Sequence, residues 1–152
     1  MLFNKKIDFA IAQCQYITNI FDGENEKVLK NMHVLVKGNL IETISSEPLA
    51  IMQTDNVTML DGGGNTLMPG MIEGHGHVMF ASNLSQLLNQ DEFEQGVHAA
   101  RRANDYLMHG FTTIRDCGGN SFGLKRALEA DIIPGPRIYP SGASIGQTSG
   151  HG

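Results

Sequence analysis

At 152 residues, 41% of them hydrophobic and 18% charged, the chain is long enough to bury a core and too apolar to be disordered. Its 16 acidic against 11 basic residues leave a net charge of −5, which gives no basic footprint for nucleic acid or an anionic membrane and points to a small-molecule or peptide partner. No run reaches the about 18 apolar residues of a bilayer span, and the start, Met1-Leu2-Phe3-Asn4-Lys5-Lys6, lacks the apolar core of a secretory signal, so a cytoplasmic location is expected.

The first 67 residues carry a β pattern. Phe9 to Ile17 reads as a strand, and Met32-His33-Val34-Leu35-Val36 with Leu40-Ile41-Glu42-Thr43-Ile44 reads as a hairpin about the turn Lys37-Gly38-Asn39. Val57 to Leu60 is a further short strand, followed by Asp61-Gly62-Gly63-Gly64-Asn65, which the glycines mark as a loop. Cys14 and Cys117 form no CxxC pair and suggest neither a disulfide framework nor a thiolate metal site; Cys14, on an alternating strand, reads as packing.

After Leu67 the period changes, and the domain boundary is expected between Asn65 and Pro69. Met71-Ile72 leads a strand. Asp91 to His109 is helical in spacing, with Phe93, Val97, Ala100, Ala103 and Leu107 as its apolar positions and Gly110 ending it. Phe111-Thr112-Thr113-Ile114-Arg115 is strand-like, and Asn120 or Ser121 can cap a helix to about Ala130 with Leu124, Ala127 and Leu128 on its apolar side. Pro134-Gly135-Pro136 breaks that pattern before a third strand, Arg137-Ile138-Tyr139-Pro140. Strand, helix, strand, helix, strand is the order of a parallel α/β sheet.

Two histidines stand out within Met68-Pro69-Gly70-Met71-Ile72-Glu73-Gly74-His75-Gly76-His77. On a strand, residues i and i+2 face the same way, so His75 and His77 can present two imidazoles to one point. Zinc and similar ions accept imidazole nitrogen, and a bound water then ionises near neutral pH. Spacing alone leaves a second reading open, a polar alternation on a half-buried strand. Asp116 and Arg115 read as an ion pair near the end of the second strand, with support of the site as the alternative. His33, His98 and His109, on the hairpin and the first helix, are assigned no chemistry. His151 lies in a Gly-rich terminal loop and by itself reads as solvent-exposed.

The stretch Pro69 to His77 resembles the PGxID-x-H-x-H segment that ends the first barrel strand in the amidohydrolase superfamily. Gly110-Phe111-Thr112-Thr113-Ile114-Arg115-Asp116-Cys117-Gly118-Gly119 resembles the second-strand GxTTxRDxGG segment. Ile133-Pro134-Gly135-Pro136-Arg137, with Ser141-Gly142 and Gln147-Thr148-Ser149-Gly150-His151-Gly152, is similar to the IPGPRxxxSG…GGHG segment of the Xaa-Pro dipeptidase and imidazolonepropionase-like branch. The chain departs from the pattern at Glu73, where Asp is usual, and at Ser149, where Gly is usual; the first puts local hydrogen bonding in question, the second the path of the loop carrying His151.

The resemblance implies an α/β fold, with residues 1–67 as the N-terminal part of a small β-sandwich domain and residues 68–152 as the first strands and helices of an incomplete metal-dependent (β/α)8 barrel. It implies His75 and His77 as metal ligands for Zn2+ or a similar divalent ion, one or two in the complete enzyme, and His151 as a contact to the scissile carbonyl or its oxyanion. The implied activity is hydrolysis of a C–N bond by metal-activated hydroxide, in an Xaa-Pro or other dipeptide, with a cyclic imidazolone-like amide or a deamination as the alternative. A noncatalytic metal-binding or assembly module is the reading from another class. The family also uses a lysine or glutamate, two further histidines and an aspartate from later strands, and a full barrel takes about 250 residues. The chain is therefore expected to be the N-terminal part of a larger hydrolase, inactive alone and needing further chain, a complementary chain or a homo-oligomer.

Overall fold

A computed structural model describes residues 13–50, 57–80, 83, 85, 89–143 and 146–150. The chain divides into two compact units, Met1–Pro69 and Gly70–Gly152.

In the first unit, β1 (Gln13–Ile20), β2 (Leu29–Lys37), β3 (Leu40–Ser45) and β4 (Val57–Leu67) form one sheet in the order β3-β2-β1-β4. The expected start of the first strand at Phe9 lies outside the described residues. β1 runs antiparallel to β2 and parallel to β4, and β2–β3 is the expected hairpin, with Lys37 paired to Leu40 across the Gly38-Asn39 turn. The period-2 pattern of β2 places Val34 and Val36 in a core with Ile20 and Leu67, against which Met32 packs. This sheet supplies one layer; the described residues of the unit contain no second sheet.

The glycine run is not a free loop. It belongs to β4, whose pairing with β1 runs to Ile17↔Asp61 and resumes at Asn19↔Thr66, so Gly62–Asn65 swells out of the ladder as a wide irregularity. Gly63 and Gly64 take φ of +57° and +78° there, a region that residues with a Cβ avoid. β1 satisfies the displaced backbone: Thr18 Oγ1 donates to the Asn65 carbonyl at 2.7 Å and Asn19 Nδ2 to that of Gly64 at 2.9 Å. Strand pairing on either side of the run overrides the loop signal of its composition.

In the second unit, β5 (Met71–Gly76), β6 (Phe111–Asp116) and β7 (Arg137–Pro140) form a parallel sheet in chain order. Two helices connect them, α1 (Glu92–Met108) and α2 (Phe122–Glu129). The result is the expected parallel strand-helix alternation. α1 begins where Asp91 accepts the Glu94 N–H at 2.8 Å through Oδ1, with Glu92 and Glu94 favourably placed in the first turn. It ends at His109, ahead of Gly110. The core joins Val78, Ala103, Ile114 and Ile138, with Met79, Tyr106, Leu124 and Leu128 packed against it, so both helices cover one face of the sheet.

The buried stripe of α1 differs from the one expected. Ala99, Ala103 and Leu107 are buried, whereas Phe93 and Val97 are 83% and 58% exposed. Ala99, Ala103 and Leu107 recur every four residues and keep to one side, while Phe93 and Val97 sit around the helix from them at about 100° per residue. Small alanines let α1 lie close to the sheet and to Gly135, where an added Cβ would stand 3.3 Å from that of Ala103 and 2.5 Å from Leu128 Cδ2. No described helix is long and apolar enough to cross a membrane.

Candidate metal centre

The candidate site lies at the C-terminal end of β5, where parallel α/β folds gather functional groups. Pairing with β6 runs Glu73↔Ile114 and then Gly76↔Asp116, three steps on β5 against two on β6. The extra residue is a bulge at Gly74-His75, a device that re-aims side chains next to functional sites. Gly76 lies against the core: a Cβ there would stand 2.6 Å from Ile114 Cγ2. Any larger residue would have to displace the buried Ile114.

His75 and His77 flank that glycine. Their ring centroids are 5.1 Å apart with the planes at 74°. His75 is exposed and His77 half-buried, with Phe80 at 5.4 Å between centroids and a 37° tilt. Among the described residues, His77 Nδ1 is buried without a hydrogen-bond partner. The structure thus brings together the two histidines that strand periodicity pairs.

Two carboxylates hold the backbone around them. Glu73 Oε1 accepts the His75 N–H at 2.9 Å, satisfying an amide at the bulge. Asp116 Oδ1 accepts the Val78 N–H at 3.0 Å, and Oδ2 accepts the Ser121 hydroxyl. Between them, the Gly76 carbonyl accepts the Cys117 N–H at 2.8 Å. The extra methylene of Glu73, relative to the usual Asp, does not prevent this closure onto the backbone two residues ahead.

The expected Arg115–Asp116 ion pair does not form. Neighbours on a strand point to opposite faces, and here Asp116 is fully buried while Arg115 is exposed. Asp116 is the residue sequence reasoning undervalued; the available signal was its i+2 spacing from Ile114, which carries it to the buried side. Ser121 is the N-cap residue of α2 but makes no side-chain cap bond, because its hydroxyl is committed to Asp116.

The other candidates separate. His98 Nε2 is 3.8 Å from Glu94 Oε1 along α1, and His109 Nδ1 is 2.7 Å from the Asp105 carbonyl oxygen, both away from the pair. His33 is on β2, in the first unit. Cys117 is a free thiol, with Sγ 3.7 Å from the Arg115 carbonyl oxygen. His151 lies outside the described residues. Ser149, near it in sequence, adopts a φ of +61°, a left-handed conformation that a glycine would adopt without strain. No third His, Cys, Asp or Glu among the described residues joins His75 and His77 in a metal-holding group.

Residues 66–152, more than half of the chain, match the amidohydrolase family. The chain belongs to the amidohydrolase family. Among its relatives, ochratoxinase of Aspergillus niger is 27% identical over 141 residues, covering 90% of this amidohydrolase chain and 29% of the relative. Among solved structures, a prolidase complexed with N-methylphosphonate-L-proline superposes with a TM-score of 0.80 at 33% identity, covering 94% of this chain and 34% of the prolidase. An Xaa-Pro dipeptidase with methionine bound in its active site shares the fold, with a TM-score of 0.73 at 22% identity over 90% of this chain and 34% of the other. This amidohydrolase chain therefore spans about a third of the length of these relatives, corresponding to their N-terminal part.

Proposed function

We propose that His75 and His77 are ligands for Zn2+ or a similar divalent ion in a hydrolase that cleaves a carbon–nitrogen bond, with an Xaa-Pro or other dipeptide as substrate. The observation that carries this reading is the pair itself: two imidazoles side by side at the end of a parallel strand, one with a buried unpaired nitrogen. Burying a polar atom without a partner is costly, and a neutral imidazole nitrogen is a good donor to such an ion. The donor set fits half of a catalytic site. When bound, a divalent ion would polarise the substrate carbonyl and acidify water.

The residues of this chain have distinct parts in the proposal. His75 and His77 donate nitrogen, Glu73 holds the His75 amide, and Asp116 holds the amide that follows His77. His151 is assigned to the substrate side, as a contact to the scissile carbonyl oxygen. The remaining ligands would come from later barrel strands, in further chain, a complementary chain or another copy. β5 and β7 are the outer strands of their sheet, and Ile72 and Tyr139 on them are exposed, which supports additional strands packing there.

The names of the relatives, prolidase and ochratoxinase, favour a dipeptide or other amide over a cyclic imidazolone. The direct test is a chimera in which this chain replaces the matching N-terminal third of the prolidase. Hydrolysis of Xaa-Pro dipeptides that is lost in H75A and H77A is expected; a folded chimera whose activity survives both substitutions would refute the assignment.

A further inference from the structure

Asp116 is fully buried, and no cation pairs with it among the described residues. A carboxylate in that position carries a desolvation cost that hydrogen bonds must offset. Its bonds go to three separate places. Oδ1 takes the Val78 N–H from the segment after β5, at 3.0 Å. Oδ2 takes the hydroxyl of Ser121, itself fully buried, at the start of α2. Its carbonyl oxygen takes the Ser141 N–H just beyond β7, at 2.9 Å. One residue thus ties together the C-terminal ends of all three parallel strands.

The Val78 N–H belongs to the peptide unit that begins at the His77 carbonyl. Holding that planar unit restricts ψ of His77, and so narrows the directions in which its Cα–Cβ bond can leave the backbone. An ordinary core residue would supply packing here at no electrostatic cost, as Ile114 does two residues earlier on the same face. The costly group is therefore best explained by what its hydrogen bonds position.

We propose that Asp116 is a positioning residue that sets the orientation of the His77 imidazole for metal binding by holding the Val78 amide, with Ser121 in turn fixing the Asp116 carboxylate. This rests on the reading of His77 as a ligand. Supporting hydrogen bonds behind metal ligands contribute about 10–100-fold in affinity when the partner is removed.

The test is titration of the metal-free prolidase chimera carrying this chain with Co2+, followed by visible absorption, alongside amide NMR of Val78. D116A is expected to bind Co2+ about 10-fold or more weakly. D116N keeps an oxygen acceptor but no charge, so it should fall between D116A and the wild type, with the Val78 amide proton moved upfield. I138V, which trims the same core without touching the carboxylate, should bind as the wild type does. If D116A does not fold, D116N decides: weakened binding with a displaced Val78 resonance supports the proposal, and unchanged binding overturns it. Equal losses in D116A, D116N and I138V would also overturn it, as a mere packing effect. Absence of Co2+ binding by the folded wild-type chimera would remove the metal reading and this inference together, whereas wild-type binding that both Asp116 variants retain would remove this inference alone.

Discussion

Glu73 Oε1 lies 2.9 Å from the backbone nitrogen of His75, so a side chain two residues upstream occupies the hydrogen-bonding position that the bulge withdraws from the β5–β6 ladder. The contact is local, which is why replacing Asp by Glu leaves it possible. E73A should leave the His75 amide without this partner, lower stability by about 1 kcal/mol and weaken metal binding, while E73D should stay close to the wild type in both. Urea denaturation and metal titration of the two variants check this; equal behaviour of E73A and the wild type would remove the role given to Glu73.

The glycines on either side of His75 have opposite surroundings. A Cβ at Gly76 would stand 2.6 Å from Ile114 Cγ2 in the core, whereas one at Gly74 would meet nothing within 4 Å. G76A is expected to destabilise by about 1–3 kcal/mol through overpacking, and G74A to stay within about 0.5 kcal/mol of the wild type. The G76A/I114A double variant should cost less than the sum of its singles, because I114A removes the clashing methyl group. Denaturation midpoints of the four variants and the wild type give the comparison.

Ser149 holds a left-handed backbone with φ of +61° and is exposed. S149G relieves that conformation but loosens the unfolded chain, and the two effects leave a net gain of about 0.5–1 kcal/mol. Thermal unfolding of the single variant should show a raised midpoint; a lowered one would contradict the strain assigned to this turn.

Asp22, in the connection from β1 to β2, accepts N–H bonds from the backbone of Glu24 and Asn25 and from the Asn25 side chain. The Asn25 backbone bond leads, then its side chain and the Glu24 backbone, in lowering the Asp22 pKa from 3.8 to about 2. A carboxyl group depressed on folding stabilises the folded state above its unfolded pKa, and that contribution is lost as pH falls from there through about 2. A carboxyl-carbon NMR titration should place the midpoint near 2. N25A should raise it, and a wild-type midpoint at the ordinary aspartate value would contradict the turn.

Sequence patterns exposed the parts of the fold that depend on local periodicity. Val34 and Val36 alternate into a core, the helical spacing after Asp91 forms α1, and the β-branched run through Ile114 pairs in the parallel sheet; the side-chain cap expected at Asn120 or Ser121 does not form, because the Ser121 hydroxyl goes to Asp116. Pairing over long sequence separations was not legible: β1 pairs with β4 on both sides of Gly62–Asn65, although glycine composition alone signals a loop. The side of α1 that packs was set by the sheet's need for close approach, which alanines meet and Phe93 does not. At the site, i+2 spacing revealed the histidine pair but neither carboxylate bracket, because a bulge and a buried hydrogen bond depend on the neighbouring strand.

The claim on which the functional account turns is that His75 and His77 act together as ligands. Isothermal titration with Zn2+ of the metal-free prolidase chimera carrying this chain, repeated on H75A, H77A and the α1 control H98A, measures this directly. Binding that is retained in H98A and weakened by at least about 10-fold in both H75A and H77A is the predicted result; wild-type affinity in H75A and H77A, or no binding by the folded wild-type chimera, would contradict it.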